Sequence, residues 1–313
     1  MSPWDRTEPR QYIGKKIEFI NFRIAVLAKV SIAILFLLNY HLNQKIYQKY
    51  KMKYLKLLPI LFLLIQSCKT EKKEITGTTN NEKDIDNEWI VLFDGKSTEG
   101  WRAYNGDKLP PGWIAKDGAL TFDTELGLEQ DYTGGKDIIY GAEEFENFEL
   151  YIEWKIPEGG NSGIFYHLKE GYDAPPEVAP EYQLIDDENY AKIHDLTAYN
   201  KSLGYAEKPE ELKPLQQTAS DYAMHAADSR KKTLHPVGEW NTSKIVFTPE
   251  KVEHWLNGEV VLSFVPWSKD WYERKNSDKW KNSEDYGKYK TGYIGLQDHS
   301  SPIWFRNIKI KKL

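Results

Sequence analysis

The sequence predicts an all-β fold, a two-sheet sandwich or jelly roll with long loops. Three observations point there. Short runs rich in β-branched and aromatic residues recur between Gly, Pro, Asn and Asp breaks, the spacing typical of sandwiches and barrels. No long segment carries a clean 3.6-residue apolar period. Aromatics make up 14% of the 313 residues, with 11 Trp and 20 Tyr, which suits pleated, half-buried surfaces and sugar-binding faces.

In chain order the strand candidates are 89–93, 119–122, 137–140, 148–156, 163–168, 181–185, 244–248, 252–256, 260–265, 292–297 and 303–310. The pair Asn257-Gly258 between two of them is the clearest hairpin signal, because both residues tolerate the positive φ of a tight primed turn. Alternation assigns faces. Phe148, Leu150, Ile152, Trp154 and Ile156 point to the core, and Glu149, Tyr151, Glu153 and Lys155 point away. Glu181 and Gln183 share a face opposite Tyr182 and Leu184. His254 is assigned opposite Trp255 and away from the core. In the last strand Trp304, Arg306 and Ile308 alternate with Phe305 and Asn307. Several strands thus combine an apolar face with one bearing Glu, Gln, His, Arg and aromatics, the expected lining of a concave binding surface. The excursions 190–232 and 268–289 are long enough to serve as rims or lids.

The N-terminal segment reads as an address rather than a fold. Residues 24–38 form an apolar run interrupted by Lys29, short of the roughly 20 residues a membrane span needs. From Met52, Lys53 and Lys56 precede the apolar stretch 57–65, and Ile65-Gln66-Ser67 leads into Cys68, the only cysteine. This layout resembles the bacterial lipoprotein signal, with 52–67 removed and Cys68 lipidated; the alternative is an incidental thiol after a signal anchor. On that reading residues 1–51 are an over-extended N-terminus or a membrane-proximal segment. The polar stretch 68–88 is a flexible tether, and the folded domain runs over 89–313. A lipid-anchored cell-envelope protein is the expected setting, with the bilayer as a partner through Cys68.

Composition narrows the function. The net charge is −5, from 42 basic and 47 acidic residues, so nothing draws the chain to a phosphate backbone and nucleic acid is not an expected partner. A single cysteine excludes a disulfide framework and a Cys-based zinc cluster. No phosphate loop, dinucleotide fingerprint or Gly-x-Ser-x-Gly elbow is present. No cofactor is expected. The acidic run Asp186-Asp187-Glu188, with His194 and Asp195 beyond it, reads as a solvated loop; calcium is the divalent metal to consider there, but it needs six to eight oxygens that spacing does not reveal.

The order of short phrases carries a resemblance. Leu92-Phe93-Asp94-Gly95-Lys96 is followed by Gly100-Trp101, Asn161-Ser162-Gly163-Ile164, Glu181-Tyr182-Gln183-Leu184 and Gly238-Glu239-Trp240-Asn241. Then come 252–258 (Val-Glu-His-Trp-Leu-Asn-Gly), 295–299 (Gly-Leu-Gln-Asp-His) and 305–310. Together they resemble the 3-keto-disaccharide hydrolase domain family, over about residues 88–313. The resemblance implies a concanavalin A-like jelly roll that handles carbohydrate. It also implies cleavage of glycosides whose C3 hydroxyl has been oxidised to a ketone. Such a ketone acidifies the C2 hydrogen, so a base at C2, donors for the enolate oxygen and an acid for the C1 oxygen allow elimination or net hydrolysis.

Residue types then suggest roles. His254 is the first candidate for the base, since imidazole titrates near neutrality, with a satisfied histidine at the sheet edge as the alternative. His299, at a strand end, is a candidate acid or enolate donor. Glu181 serves hydroxyl recognition, or base work if desolvation raises its pKa; with Glu153 it also forms the carboxylate pair that a conventional glycosidase would need. Gln183 and Gln297 suit hydroxyl binding, and Arg306 a carbonyl oxygen or carboxylate. His167 falls where the resemblance implies a basic residue in the substrate site. Tyr166, Trp101 and Trp267 are candidates to stack on a pyranose, with core packing the alternative for each. A non-catalytic carbohydrate-binding domain is the second functional reading, since sandwiches host both roles.

Overall fold

A computed structural model describes residues 88–197 and 211–313. The signal, Cys68 and the tether up to residue 87 lie outside the described residues.

Among the described residues, thirteen strands form two antiparallel sheets. The larger sheet runs β11 (Glu259–Phe264), β10 (Val252–Leu256), β9 (Asn241–Phe247), β6 (Phe148–Lys155), β13 (Ile303–Lys312), β4 (Ala119–Phe122) and β3 (Trp113–Lys116), and β1 (Ile90–Phe93) pairs with the far end of β13. The smaller sheet runs β2 (Trp101–Ala103), β5 (Ile138–Tyr140), β12 (Tyr293–Leu296), β7 (Asn161–Leu168) and β8 (Glu181–Ile185). The fold is a jelly-roll sandwich. The expected strands are all present. β2 and β3 are additional: each is three or four residues long, too short for alternation to register.

The core lies between the sheets. Phe148, Leu150, Ile152 and Trp154 of β6 are buried, alternating with half-buried Glu149, Tyr151, Glu153 and Lys155. Across the sandwich they meet Ile164 and Tyr166 of β7, Tyr182 and Leu184 of β8, and Ile294 and Leu296 of β12. The Asn257-Gly258 turn has φ values of 47° and 89°, as a primed turn requires. The Asn257 side chain locks it, accepting from the Thr242 amide at 2.8 Å and donating to Asn241 Oδ1 at 2.8 Å.

Two face assignments are corrected. In β13, pairing with β6 slips between Arg306 and Lys309, and Asn307 takes φ 50°. This bulge inverts the parity, so Ile308 and Ile310 join Ile303 and Phe305 in the core, and Ile308 leaves the face of Trp304 and Arg306. In β10, His254 shares its face with buried Val252 and Leu256 and has no exposure. Trp255 is the outward residue, its ring covered by Lys244 Nζ at 3.6 Å from the centroid. The two aliphatic neighbours outweigh the imidazole: a neutral ring with one hydrogen bond can be buried, whereas the Trp255 indole is accommodated outside under a lysine stem.

The 268–289 excursion holds a helix, α3 (Lys269–Ser277), capped by Ser268 Oγ accepting from the Trp271 amide at 3.2 Å; two shorter helices are α1 (Thr124–Leu128) and α2 (Tyr190–Ile193).

Candidate active site

The outer face of the smaller sheet carries the cavity. It holds about 270 Å³. Glu181 and Gln183 of β8 form its floor together with Asn161 of β7 and Gln297 just after β12. His299 stands further along the same segment. One wall is Ile185, Tyr190, Leu196 and Leu212; the other includes Pro176, Tyr222 and Lys279. The excursions after β8 and after β11 therefore act as the rims expected of them.

Position 163 determines where the Glu181 carboxylate sits. Gly163 is paired with Gln183 in the adjoining strand. A Cβ there would lie 2.0 Å from Glu181 Oε1 and 2.7 Å from Cδ, so only a glycine leaves the carboxylate its place. Glu181 is 3% exposed, and Oε1 has no protein partner. Burial pushes its pKa up to about 8, Lys279 pulls it back, and the charges of Asp137 and Asp221 raise it further. Asp137 is itself raised to about 7 by burial.

Two more acceptors in the lining lack protein partners, Asn161 Oδ1 and Gln297 Oε1. The Asn161 amide donates to Tyr190 Oη at 3.4 Å, and Gln297 is fixed through its backbone: its amide donates to the Gly163 carbonyl at 2.9 Å and its carbonyl accepts from Ser162 Oγ at 2.7 Å. Gln183 Oε1 accepts from the Leu184 amide at 2.9 Å. His299 is exposed at the mouth, its ring 6.4 Å from that of Tyr190. The wall desolvates it enough to hold its pKa below the ordinary value. Buried acceptors without donors cost about 1–3 kcal/mol each, and three in one cavity match a ligand rich in hydroxyls.

The structure thus brings together Glu181, Gln183, Gln297 and His299. It leaves seven other candidates outside the lining. His254 is sealed in the core, with Nδ1 3.0 Å from the Ala219 carbonyl, its ring 4.6 Å from Tyr182, and its pKa pushed down to about 3 by burial. A base must reach the proton it takes, so this placement argues against His254 in that role. His167 is also buried, its Nε2 2.7 Å from the Glu146 carbonyl and its pKa lowered to about 4 by burial. Tyr166 points into the core. Glu153 and Arg306 pair with each other at 2.7 Å on the outer face of the larger sheet, where the guanidinium lies 4.0 Å from the Trp240 ring. Glu153 and Glu181 therefore stand on different sheets and form no carboxylate pair. Trp101 donates to the Leu92 carbonyl and Trp267 to the Gly287 carbonyl; neither lines the cavity.

Sequence reasoning missed Lys279, Tyr190 and Tyr222 as lining residues. Lys279 lies in a lysine-rich excursion where nothing local distinguishes it. Among the described residues no group of three or more His, Cys, Asp or Glu is arranged to hold a metal ion. Asp186 is committed to its own loop, accepting from the Gly159, Glu188 and Asn189 amides.

A jelly roll with a polar cavity on one sheet is an architecture shared by many carbohydrate-active proteins. Comparison with known proteins narrows this. Residues 88–311 match the 3-keto-alpha-glucoside-1,2-lyase-like domain, and the chain belongs to that family. It is 36% identical over 245 residues to a 3-keto-disaccharide hydrolase of Bacteroides thetaiotaomicron, covering 72% of this chain and 78% of the relative. Two crystal structures of candidate glycosyl hydrolases from Parabacteroides distasonis share the fold. One has 38% identity and a TM-score of 0.61, covering 72% of this chain and 94% of the other; the second has 26% and 0.50, with 72% and 100% covered.

Proposed function

We propose that the cavity takes a glycoside carrying a ketone at C3 and breaks its C1–O bond after removing the proton at C2. The observation that carries this reading is Glu181, a buried carboxylate on the cavity floor, with an unpartnered oxygen and a pKa raised by burial. The family match and the Bacteroides relative support the substrate class. In this reading Glu181 takes the C2 proton. The electron pair becomes an enolate with the C3 oxygen, then returns to form C1=C2 as the C1–O bond breaks. His299, at the mouth where a leaving group would sit, protonates the departing oxygen. Addition of water across the new double bond makes the overall change a hydrolysis. Asn161, Gln183 and Gln297 hold hydroxyls.

The test is incubation of the full chain with 3-keto-trehalose, 3-keto-sucrose and their unoxidised parents in deuterated water. Release of the aglycone from the keto forms alone, with deuterium appearing at C2, is expected. Glu181→Gln is expected to lower kcat by about 10²–10⁴-fold. Cleavage of the unoxidised sugars at equal rates, or binding without turnover, would sink the reading; the latter outcome assigns a carbohydrate-binding protein. We also propose anchoring through Cys68, to be checked by metabolic labelling with palmitate, lost in Cys68→Ser.

A further inference from the structure

We propose that Lys279 is a catalytic residue of this site, whose ammonium group holds the C3 oxygen of the keto-sugar and neutralises the charge that develops there. This rests on the functional reading above and adds to it the group that makes the C2 proton removable.

Among the described lining residues Lys279 is the only Lys or Arg. It is held by an aromatic platform. Its Nζ lies 4.2 Å from the Tyr222 ring centroid and 4.6 Å from that of Trp280. Trp280 stacks on Tyr286 at 4.3 Å with planes 10° apart, and Tyr286 stacks in turn on Trp271 of α3. The Trp280 indole donates to the Tyr222 carbonyl at 3.2 Å, tying the platform together. A surface lysine usually extends its head into water, since an ammonium loses much solvation on enclosure. Lys279 instead lines a cavity that also holds the Glu181 carboxylate and, counting its Oε1, three acceptor oxygens without protein partners. Burial lowers its pKa, and the Glu181 carboxylate opposes that shift.

Charge bookkeeping favours the assignment. Before reaction the cavity holds one carboxylate, one ammonium and a neutral ketone. Once Glu181 has taken the C2 proton it is neutral, and the negative charge sits on the C3 oxygen. An ammonium fixed within the cavity balances the carboxylate first and the enolate afterwards. A fixed cation aimed at developing charge needs no rearrangement at the moment of reaction, and such groups contribute about 10²–10³-fold in rate. No covalent bond to the lysine is involved: the proton leaves C2 for Glu181, the electron pair moves through C2=C3 and back, and the aglycone oxygen takes its proton from His299.

The experiment compares the full chain with Lys279→Met, and with Lys279→Cys in a Cys68→Ser background before and after alkylation with bromoethylamine, which rebuilds an ammonium at nearly the same reach. With a 3-keto-glucoside, Lys279→Met is expected to lose about 10²–10³-fold in kcat, with KM and melting temperature changed much less. Aminoethylation of the cysteine variant is expected to restore at least about tenfold. Deprotonation of His299 shapes both profiles, and Glu181, Asp137 and Asp221 are common to both proteins, so the readout is the ratio of native to Lys279→Met kcat, which is expected to fall toward one as rising pH removes the ammonium. Native turnover with undiminished Lys279→Met activity overturns this inference alone. A sugar trapped on Lys279 by borohydride overturns the non-covalent role. If Lys279→Met does not fold, the alkylated and unalkylated cysteine proteins decide, equal rates counting against the proposal. Absence of native turnover on every keto-glycoside removes the functional reading and this inference with it.

Discussion

His254 illustrates how one buried side chain sets a pH dependence. Its burial depresses its pKa from the usual 6.5 to about 3, so the folded state keeps the ring neutral while the unfolded chain protonates it near the ordinary value. The unfolded state therefore binds more protons between these limits. The stability His254 contributes is present above about pH 6.5 and is lost as pH falls toward 3, at about 1.4 kcal/mol per unit. Asp137 and Glu181, raised by burial, act in the opposite sense, because the folded state holds their protons more tightly. The clean measurement is thus a difference. In urea titrations from pH 6.5 to 4.5, His254→Gln is expected to gain on the native protein by about 1.4 kcal/mol per unit. Parallel curves would show that the ring is not held neutral. The sequence reading missed this because it weighed imidazole chemistry above parity: Val252 and Leu256, two residues either side, had already assigned the face.

The strand pair β7–β8 is the element that makes the site. Its register sets Gly163 against Gln183, and the missing Cβ gives the Glu181 carboxylate its place. Gly163→Ala is expected to displace that carboxylate and lower kcat by at least about tenfold, with a much smaller change in melting temperature, since a displaced proton acceptor affects the barrier more than the core. Unchanged turnover would show that the carboxylate can move without loss. The Asn161-Ser162-Gly163 phrase thus combines a strand entry with a cavity-lining residue and a space-making one. β13 teaches a related lesson. A strict period of two carries Ile308 to the wrong face, because a bulge at Arg306–Asn307 adds one residue and resets the alternation.

At the scale of the molecule, one core serves both sheets, so the site has no independent stability. Phe148 of β6 is fully buried, stacks on Phe247 of β9 at 5.9 Å and meets Tyr166 of β7 edge-on at 6.3 Å. Phe148→Ala is expected to cost about 3–5 kcal/mol, a large share of the 5–15 kcal/mol typical of a domain. Urea unfolding followed by tryptophan fluorescence and by loss of turnover should shift together; separate transitions would show that the two sheets fold independently.

Sequence alone determined the class of fold, nearly every strand, the Asn257-Gly258 hairpin and the family, because these follow from local alternation, turn chemistry and the order of short phrases. It also named Glu181, Gln183, Gln297 and His299, whose shared face or strand-end position is a short-range property. Which polar residues meet was decided by the tertiary structure. His254, His167, Glu153 and Arg306 carry the same chemical credentials as the cavity residues, yet the pairing of strands far apart in sequence sends them to the core or to the opposite sheet. Lys279 enters the cavity only because the excursion around α3 folds over β8 on stacked aromatic rings. Convergence depends on long-range pairing, and local periodicity does not encode it.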